Sequence, residues 1–354
     1  MAGNMRDNHP ALPHRVQQVG HLTVASVTER ELAAAAAHHQ ASKARNTLAS
    51  YESDARLFEA WCEVMGTSPH QVTPADICIW LTHQVTADCP NLWIWDSWPE
   101  RRGHLERGPG LSIRTVTRRL VAIRRYLDRR AGDNPARSDL VREHLYGVSR
   151  LHGKRPDRAP GLGAKRYREV MASFGQSDRY ADHRDQLLLA LGFGAALRVS
   201  DLANLLVENV VVQPGGLVLG FERRKHIVGW STVSVVMGTD PVACPVRLFQ
   251  RFIELWGAST GPLLRRASKW NKPTAAALDP RSIARIISRR AAAVFDDVEF
   301  RGHSLRRGFI DSALMAGASI PEVMKISKHK DPKTLMIYLD EIGEFANHPG
   351  KGLY

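Results

Sequence analysis

Two short stretches near the end of the chain contain side chains that could act together on a phosphate group. His303 and Arg306 are three positions apart, so they share one face if the segment is helical. An imidazole and a guanidinium on one face are suited to contacting a single phosphate. His329 follows His303 by 26 residues, and Tyr338 follows His329 by nine. A lone HxxR is weak evidence, whereas the joint spacing is a specific signal.

A fifth candidate, Arg198, comes at the end of an almost continuously apolar stretch, residues 186–197. This stretch predicts a buried helix, which would give Arg198 a fixed direction. Ser200 is predicted to cap the next helix. A structural alternative for Arg198 is a pair with Asp201 at the edge of the core.

Together these residues resemble the signature of the tyrosine recombinase, or phage integrase, family. That signature is an early Arg, a Lys on a β-hairpin, HxxR, a later His or Trp, and a Tyr. The resemblance extends through the C-terminal domain from about Leu187 and, less specifically, through a helical domain from about Ser42. All six signature positions can be matched here, by Arg198, Lys225, His303, Arg306, His329 and Tyr338.

The resemblance implies a reaction as well as a fold. Tyr338 would attack the scissile phosphate and form a 3′-phosphotyrosine, with a free 5′-hydroxyl as the leaving group. Arg198 and Arg306 would neutralise the charge of the five-coordinate phosphate. His303 and His329 would hydrogen-bond phosphate oxygens or shuttle the tyrosine proton. No metal or other cofactor is implied.

The leaving group also needs an acid, and the family supplies it from the hairpin lysine. Lys225 is the candidate, with Asp201 in a supporting position. Arg223 and Arg224 are neighbouring cations, so the alignment of this segment with the family's hairpin lysine stays open. The alternative interpretation is a run of charged side chains that are simply solvated.

Two positions depart from the family pattern. Lys328 stands where a Gly usually precedes the late His, and Asp201 replaces the commoner Glu. The first departure bears on the local turn, because Gly often supplies a positive φ there.

Periodicity predicts a mainly helical chain with a small antiparallel sheet formed by residues 209–212, 217–223 and 230–237. Thr73 and Asp76 predict a capped helix start in the first domain. A basic, Pro- and Gly-rich run predicts a linker. The expected divisions are a flexible tail over 1–41, a helical core DNA-binding domain over 42–150, a linker over 151–165 and a catalytic domain over 166–354.

Two basic helical faces are candidates for contact with nucleic acid. On both predicted helices the arginines lie largely away from the apolar face. In the family, a helix at the second place enters the major groove, where Arg reads guanine edges. An exposed basic face that touches only phosphates, or nothing, is equally compatible with the pattern. The residues are Arg114, Arg118 and Arg125 on the first helix, and Arg281, Arg285 and Arg289 on the second.

The excess of 49 Lys and Arg over 36 Asp and Glu favours DNA, RNA or an anionic membrane as partner. The resemblance narrows this to a double-stranded recombination site bound by four protomers, with a C-terminal tail from Glu344 exchanged between subunits. Four scattered cysteines and the lack of an 18-residue apolar run favour a cytoplasmic, nucleoid-associated protein of bacterial or phage origin, with no membrane partner. No role is assigned to Trp93, Trp95 and Trp98.

Two other classes of function are weighed against an active recombinase. One is a non-catalytic, sequence-specific DNA-binding protein that keeps the fold. The other is a basic enzyme or scaffold acting on RNA or membranes, which would need a recognisable module of its own.

Overall fold

The computed structural model describes residues 45–86, 110–129, 132–154, 158–222, 229–257 and 259–339, together with Glu31 and Ala34, which are both helical. The chain divides into two compact units, Met1–Pro156 and Asp157–Tyr354. The predicted class is confirmed, because the described residues form mainly helices with small antiparallel sheets.

The first unit is a helical bundle built around aromatic residues. Phe58, Trp61 and Trp80 are almost completely buried in its core. The predicted cap is confirmed, since the Thr73 side chain and the Asp76 carboxylate exchange hydrogen bonds with each other's backbone N–H. The helices are α1 (Arg45–Val64), α2 (Pro74–Val85), α3 (Ile113–Leu127) and α4 (Asp139–His152), with a 3₁₀ turn over Pro135–Arg137.

The second unit is organised around one buried helix. Residues 187–191 of this helix are completely buried, which explains why this part of the sequence is apolar on every side. Its helices are α5 (Ala164–Ala172), α6 (Tyr180–Gly194, the buried one), α7 (Val199–Ala203), α8 (Pro245–Trp256), α9 (Pro280–Ala292), α10 (Ser304–Met315), α11 (Ile320–Ser327) and α12 (Lys333–Leu339).

Three strands form an antiparallel sheet in chain order: β1 (Val210–Gln213), β2 (Gly216–Phe221) and β3 (Ser231–Val236). Each strand falls within two residues of its predicted range. Leu217, Leu219, Val233 and Val235 alternate towards the core, as a half-buried sheet requires.

A second hairpin was not predicted. It joins β4 (Arg265–Ala267) to β5 (Pro273–Ala277) and contains an irregular register. Alanine and proline are poor strand formers. The pairing depends on its surroundings, since the carbonyl of Arg265 accepts hydrogen bonds from Tyr180 and Arg184 on α6.

The backbone of α10 comes very close to those of α6 and α7 at two glycines. A Cβ on Gly192 of α6 would lie 2.8 Å from Leu305 of α10. One on Gly302, just before α10, would lie 2.9 Å from Val199 of α7. The absence of these side chains lets α6, α7 and the start of α10 pack at short range.

The segment before α5 lies along the side of α10. The Leu162 N–H donates to the Ser304 carbonyl at 2.8 Å, and the Ala164 N–H donates to the Ser312 hydroxyl at 2.8 Å. Helices extend into both ends of the predicted 151–165 linker, because α4 ends at His152 and α5 begins at Ala164.

Several predicted features lie outside the described residues: most of the 1–41 tail, Trp93, Trp95 and Trp98, Arg223 to Lys225, and the C-terminal tail from Glu344. Within the part of the chain that the structure describes, no helix is both long and apolar enough to cross a membrane.

Because α10 packs closely against residue 162, a methyl group added at Gly308 should strongly affect stability. A Cβ at Gly308 would overlap the Leu162 carbonyl and lie 2.8 Å from the Gly163 nitrogen. We expect Gly308→Ala to lower the free energy of unfolding by roughly 1–3 kcal/mol, measured by urea titration followed by circular dichroism.

Gly147, inside α4, is the matched control because a Cβ there meets no atom within 4 Å. Gly147→Ala should raise stability by about 0.5–1 kcal/mol through helix propensity. Equal effects of the two substitutions would contradict the close approach at Gly308.

Candidate active site

Arg306 is the most constrained of the predicted residues. It lies in the first turn of α10 and its side chain is buried, with 4% of the residue exposed. Its Nη1 donates to the Ala196 carbonyl at 2.7 Å. This bond attaches the site helix to the turn that follows α6.

The turn after α6 has an unusual backbone. Ala196 has a φ of 48°, a left-handed conformation that costs an alanine roughly 1–2 kcal/mol. The Ala196 N–H donates to the Phe193 carbonyl at 3.0 Å, and the Leu197 N–H donates to that of Gly192 at 3.1 Å, which closes the helix end. The turn thereby directs the Ala196 carbonyl at Arg306.

Arg198, two residues after this turn, is the N-cap residue of α7. Asp201 accepts a hydrogen bond from the Arg198 backbone N–H at 3.2 Å, so Asp201 caps the helix from its third position. The prediction of Ser200 as the cap is therefore wrong, because the helix already begins at Val199. Asp201 is 4% exposed and holds the backbone that carries Arg198.

His329 completes the group from the other side. Its Nε2 lies 2.9 Å from Arg306 Nη2, and its Nδ1 lies 2.8 Å from the Ser327 hydroxyl. Burial, together with the positive charges of Arg306 and Arg198, lowers the pKa of His329 to about 4. The ring is therefore neutral at pH 7, and both arginines lie near enough to act on its charge.

His303 and Tyr338 lie on two further segments of the second unit. His303 is exposed at the residue before α10. The backbone of Tyr338 lies in α12, whose Leu335 is completely buried in a small cluster with Ile310 of α10 and Val323 of α11. This contact places the helix of Tyr338 against the helix that carries Arg306. Lys225 lies outside the described residues.

Sequence reasoning did not identify Ala196 or Ser327. Ala196 contributes a carbonyl oxygen, and alanine gives no sign of a left-handed conformation. Ser327 lies two residues before His329, so its proximity was visible, but its hydrogen bond depends on the turn at Lys328.

The candidate nucleic-acid arginines differ in what they contact. On α3, Arg114 is exposed, Arg125 is half-buried, and Arg118 forms a two-point ion pair with Asp54 of α1, which is 3% exposed. The three candidate arginines on α9 also differ in their contacts. Arg281 is exposed there, Arg285 donates to Ser282 at 3.2 Å, and Arg289 donates to the fully buried Asp185 at 3.1 Å.

Comparison with known proteins gives a consistent result. A XerD-like integrase/recombinase of Selenomonas ruminantium is 24% identical over 88% of this chain and 86% of its own length. The recombinase Cre of Escherichia phage P1 is 23% identical over 65% of this chain and 71% of its own length. No family model matches the sequence.

The fold is shared with solved recombinases. The integrase of transposon Tn1549, solved in complex with transposon right-end DNA, superposes with a TM-score of 0.55 at 14% identity. The match covers 87% of this chain and 93% of that one. The fold is thus that of the integrase class. The chain is similar to integrases and recombinases in both sequence and fold.

The low pKa of His329 predicts a pH-dependent loss of stability. Protonation of the ring is costly only in the folded protein, so His329 stabilises the fold above about pH 6.5, and this contribution is lost as the pH falls towards 4. His329→Gln keeps an acceptor for Arg306 but does not titrate. Urea titrations at several pH values should show a shallower decline for the variant; parallel declines would refute the assignment.

Lys328 adopts φ 54° and ψ 39° and closes α11 through its N–H bond to the Met324 carbonyl at 2.8 Å. The departure from Gly therefore leaves the turn intact. Lys328→Gly should be more stable than Lys328→Ala by about 1 kcal/mol, because both lose the side chain and only glycine is unstrained there. Thermal unfolding of the two variants measures the difference, and a more stable Ala variant would oppose the interpretation.

Proposed function

We propose that this protein is a site-specific DNA recombinase that cuts and rejoins strands through a 3′-phosphotyrosyl intermediate on Tyr338. It integrates or excises a phage or another mobile element. The observation that carries the proposal is the buried Arg306, held between the Ala196 carbonyl and His329 with Arg198 nearby.

A phosphate site explains why two arginines converge. Two cations close together repel one another, and the repulsion is relieved when an anion binds between them. A five-coordinate phosphate carries extra negative charge, which rigid guanidinium groups neutralise without needing water. Arg198 and Arg306 would therefore bind the transition state more tightly than the ground state.

The remaining roles complete the reaction. As the Tyr338 oxygen bonds to phosphorus, its hydroxyl proton passes to an imidazole of the site. The bond between phosphorus and the 5′-oxygen breaks, and that oxygen takes a proton from Lys225. His303 hydrogen-bonds a phosphate oxygen from the exposed start of α10, while Asp201 keeps Arg198 in position. The reaction uses no metal or other cofactor.

We further propose that arginines of α3 and α9 hold double-stranded DNA. Arg114 and Arg125 contact one stretch of duplex, and Arg281 and Arg285 contact another. Arg118 and Arg289 serve mainly to orient their helices through Asp54 and Asp185. With six to ten phosphate contacts, affinity falls by roughly 10³ to 10⁵ between 50 and 200 mM salt.

The active assembly is a homotetramer on two DNA sites, with the C-terminal tail from Glu344 exchanged between subunits. The protein acts in the cytoplasm at the nucleoid. Solved relatives with DNA, such as the Tn1549 integrase complex, support the choice of partner.

The test is covalent capture of DNA. The tagged protein is expressed in cells that contain the host genome, recovered under denaturing conditions, and the attached DNA is sequenced. A nicked duplex carrying the recovered sequence then traps the intermediate in vitro. We expect an adduct that survives detergent and heat and disappears on protease treatment.

Tyr338→Phe should abolish this adduct, because the substitution removes only the nucleophilic oxygen. Tyr146→Phe is the matched control, since Tyr146 is 66% exposed on α4 in the other unit and should leave the yield unchanged. Equal adduct from wild type and Tyr338→Phe would overturn the proposal.

A further inference from the structure

The turn between β4 and β5 presents an exposed aromatic ring beside exposed cations. Trp270 is 75% exposed at this turn, although tryptophan usually buries most of its large ring. The ammonium of Lys269 lies 5.0 Å from the centre of the Trp270 ring, and Lys272 is also exposed. We call residues 268–272 the basic turn. It offers an apolar face and positive charge to the same partner.

The charge around the basic turn has one sign. Residues 265–272 contain four cations and no acidic side chain. Two of the cations are engaged with the protein, since Arg265 donates to two backbone carbonyls at 2.9 and 2.6 Å, and Arg266 pairs with Asp279 at 3.1 Å. The other two, the lysines, are exposed, and their ammonium groups lie over aromatic rings at 5.0 and 5.7 Å. This charge favours a polyanion over a protein surface of mixed charge.

Hydrogen bonds hold the basic turn in one conformation. The Asn271 N–H donates to the Ser268 carbonyl at 3.0 Å, and the Ser268 N–H donates to the Lys272 carbonyl at 2.8 Å. Asn271 has φ 57°, a left-handed conformation that asparagine tolerates better than most residues. Its Oδ1 accepts a hydrogen bond at 3.2 Å from the Ala181 N–H, a donor in the first turn of α6 that has no partner within the helix. The turn is thereby attached to the buried helix around which the unit is organised.

The same hairpin leads directly into α9, which carries arginines proposed to hold DNA. Arg266 Nη2 lies 3.1 Å from the Asp279 carboxylate, and Asp279 caps α9 by accepting a hydrogen bond from the Ser282 N–H at 2.9 Å. β5 spans five residues, so the basic turn lies about 17 Å from the start of α9 at roughly 3.3 Å per residue. One turn of B-DNA is about 34 Å long, and this distance is therefore half a turn. Half a turn from a major groove, the same side of the duplex presents the minor groove.

We propose that the basic turn is a second DNA contact of this unit, which enters the minor groove next to the major groove occupied by α9. Trp270 packs its ring against the deoxyribose walls of that groove, and Lys269 binds a phosphate at its edge. The inference rests on the proposed function, because it needs α9 to lie on duplex DNA. It deepens that function by assigning two side chains of the β4–β5 hairpin to the binding of the recombination site.

The minor groove suits this pair of side chains. Proteins that bind there insert apolar side chains and use cations beside them. An indole ring has only two rotatable bonds, and the turn is already ordered, so binding removes little conformational freedom. The pattern of donors and acceptors in the minor groove is degenerate, so this contact adds affinity and fixes register more than it reads sequence.

The first test maps the contact on DNA. Duplexes are selected from a random pool with the purified wild-type protein, so the site is found without the covalent adduct. Protection of guanine N7 from methylation locates α9 in the major groove, and protection of deoxyribose from hydroxyl radicals locates contacts in the minor groove. We expect protected sugars roughly five base pairs, or half a turn, from the protected guanines. Trp270→Ala should lose these sugars and keep the guanines; an unchanged sugar footprint would overturn the proposal.

The second test separates the two side chains by affinity. Trp270→Ala should weaken binding about 10-fold at every salt concentration, because the ring carries no charge, and Trp270→Phe should recover most of the loss. Lys269→Gln should reduce the slope of log affinity against log salt by about 0.9, the value of one phosphate contact. Leu255→Ala is the matched control, since Leu255 is 52% exposed on α8 and its truncation should change neither quantity. Melting curves establish that the variants are folded.

The outcomes distinguish this inference from the proposed function. If wild type forms the Tyr338 adduct but Trp270→Ala binds DNA normally, only the inference about the basic turn fails. If the sugar footprint depends on Trp270 but no adduct forms, the covalent mechanism fails and the DNA contact stands. If Trp270→Ala keeps the footprint and instead loses self-association in sedimentation, the turn contacts protein and the inference is overturned.

Discussion

The buried guanidinium of Arg306 is the constraint on which the arrangement of the second unit depends. A charge removed from water is costly unless its donors find acceptors, and breaking such a pair costs several kcal/mol. Arg306 finds them in the Ala196 carbonyl and in His329 Nε2. Three separate segments, the turn after α6, the start of α10 and the turn after α11, must therefore come together for the unit to fold.

The scaffold supports this arrangement by close packing. Glycines at positions 192, 302 and 308 remove the side chains that would keep α10 away from α6, α7 and the segment before α5. Leu335 then attaches α12 to the opposite side of α10. A site fixed to several rigid elements keeps its groups in one geometry, and catalysis by fixed charges requires such preorganisation.

The large positive charge of the chain serves two physical purposes. Some arginines neutralise buried carboxylates, as Arg118 does at Asp54 and Arg289 does at Asp185. Others, including Arg114 and Arg281, remain exposed and contribute to the field outside the protein. The count of 49 Lys and Arg therefore overstates the number of cations available to a polyanion.

The sequence alone predicted most of the elements and the candidate reacting groups, because helix periodicity, strand alternation and the spacing of chemical side chains are local properties. It predicted the β1–β3 sheet within two residues and the Thr73 cap. Tertiary structure decided the rest. The left-handed turn at Ala196 beneath Arg306, the ion pair of Arg118 with Asp54 and the contact between Arg306 and His329 depend on contacts between distant segments, whose energies outweigh local preference at these positions.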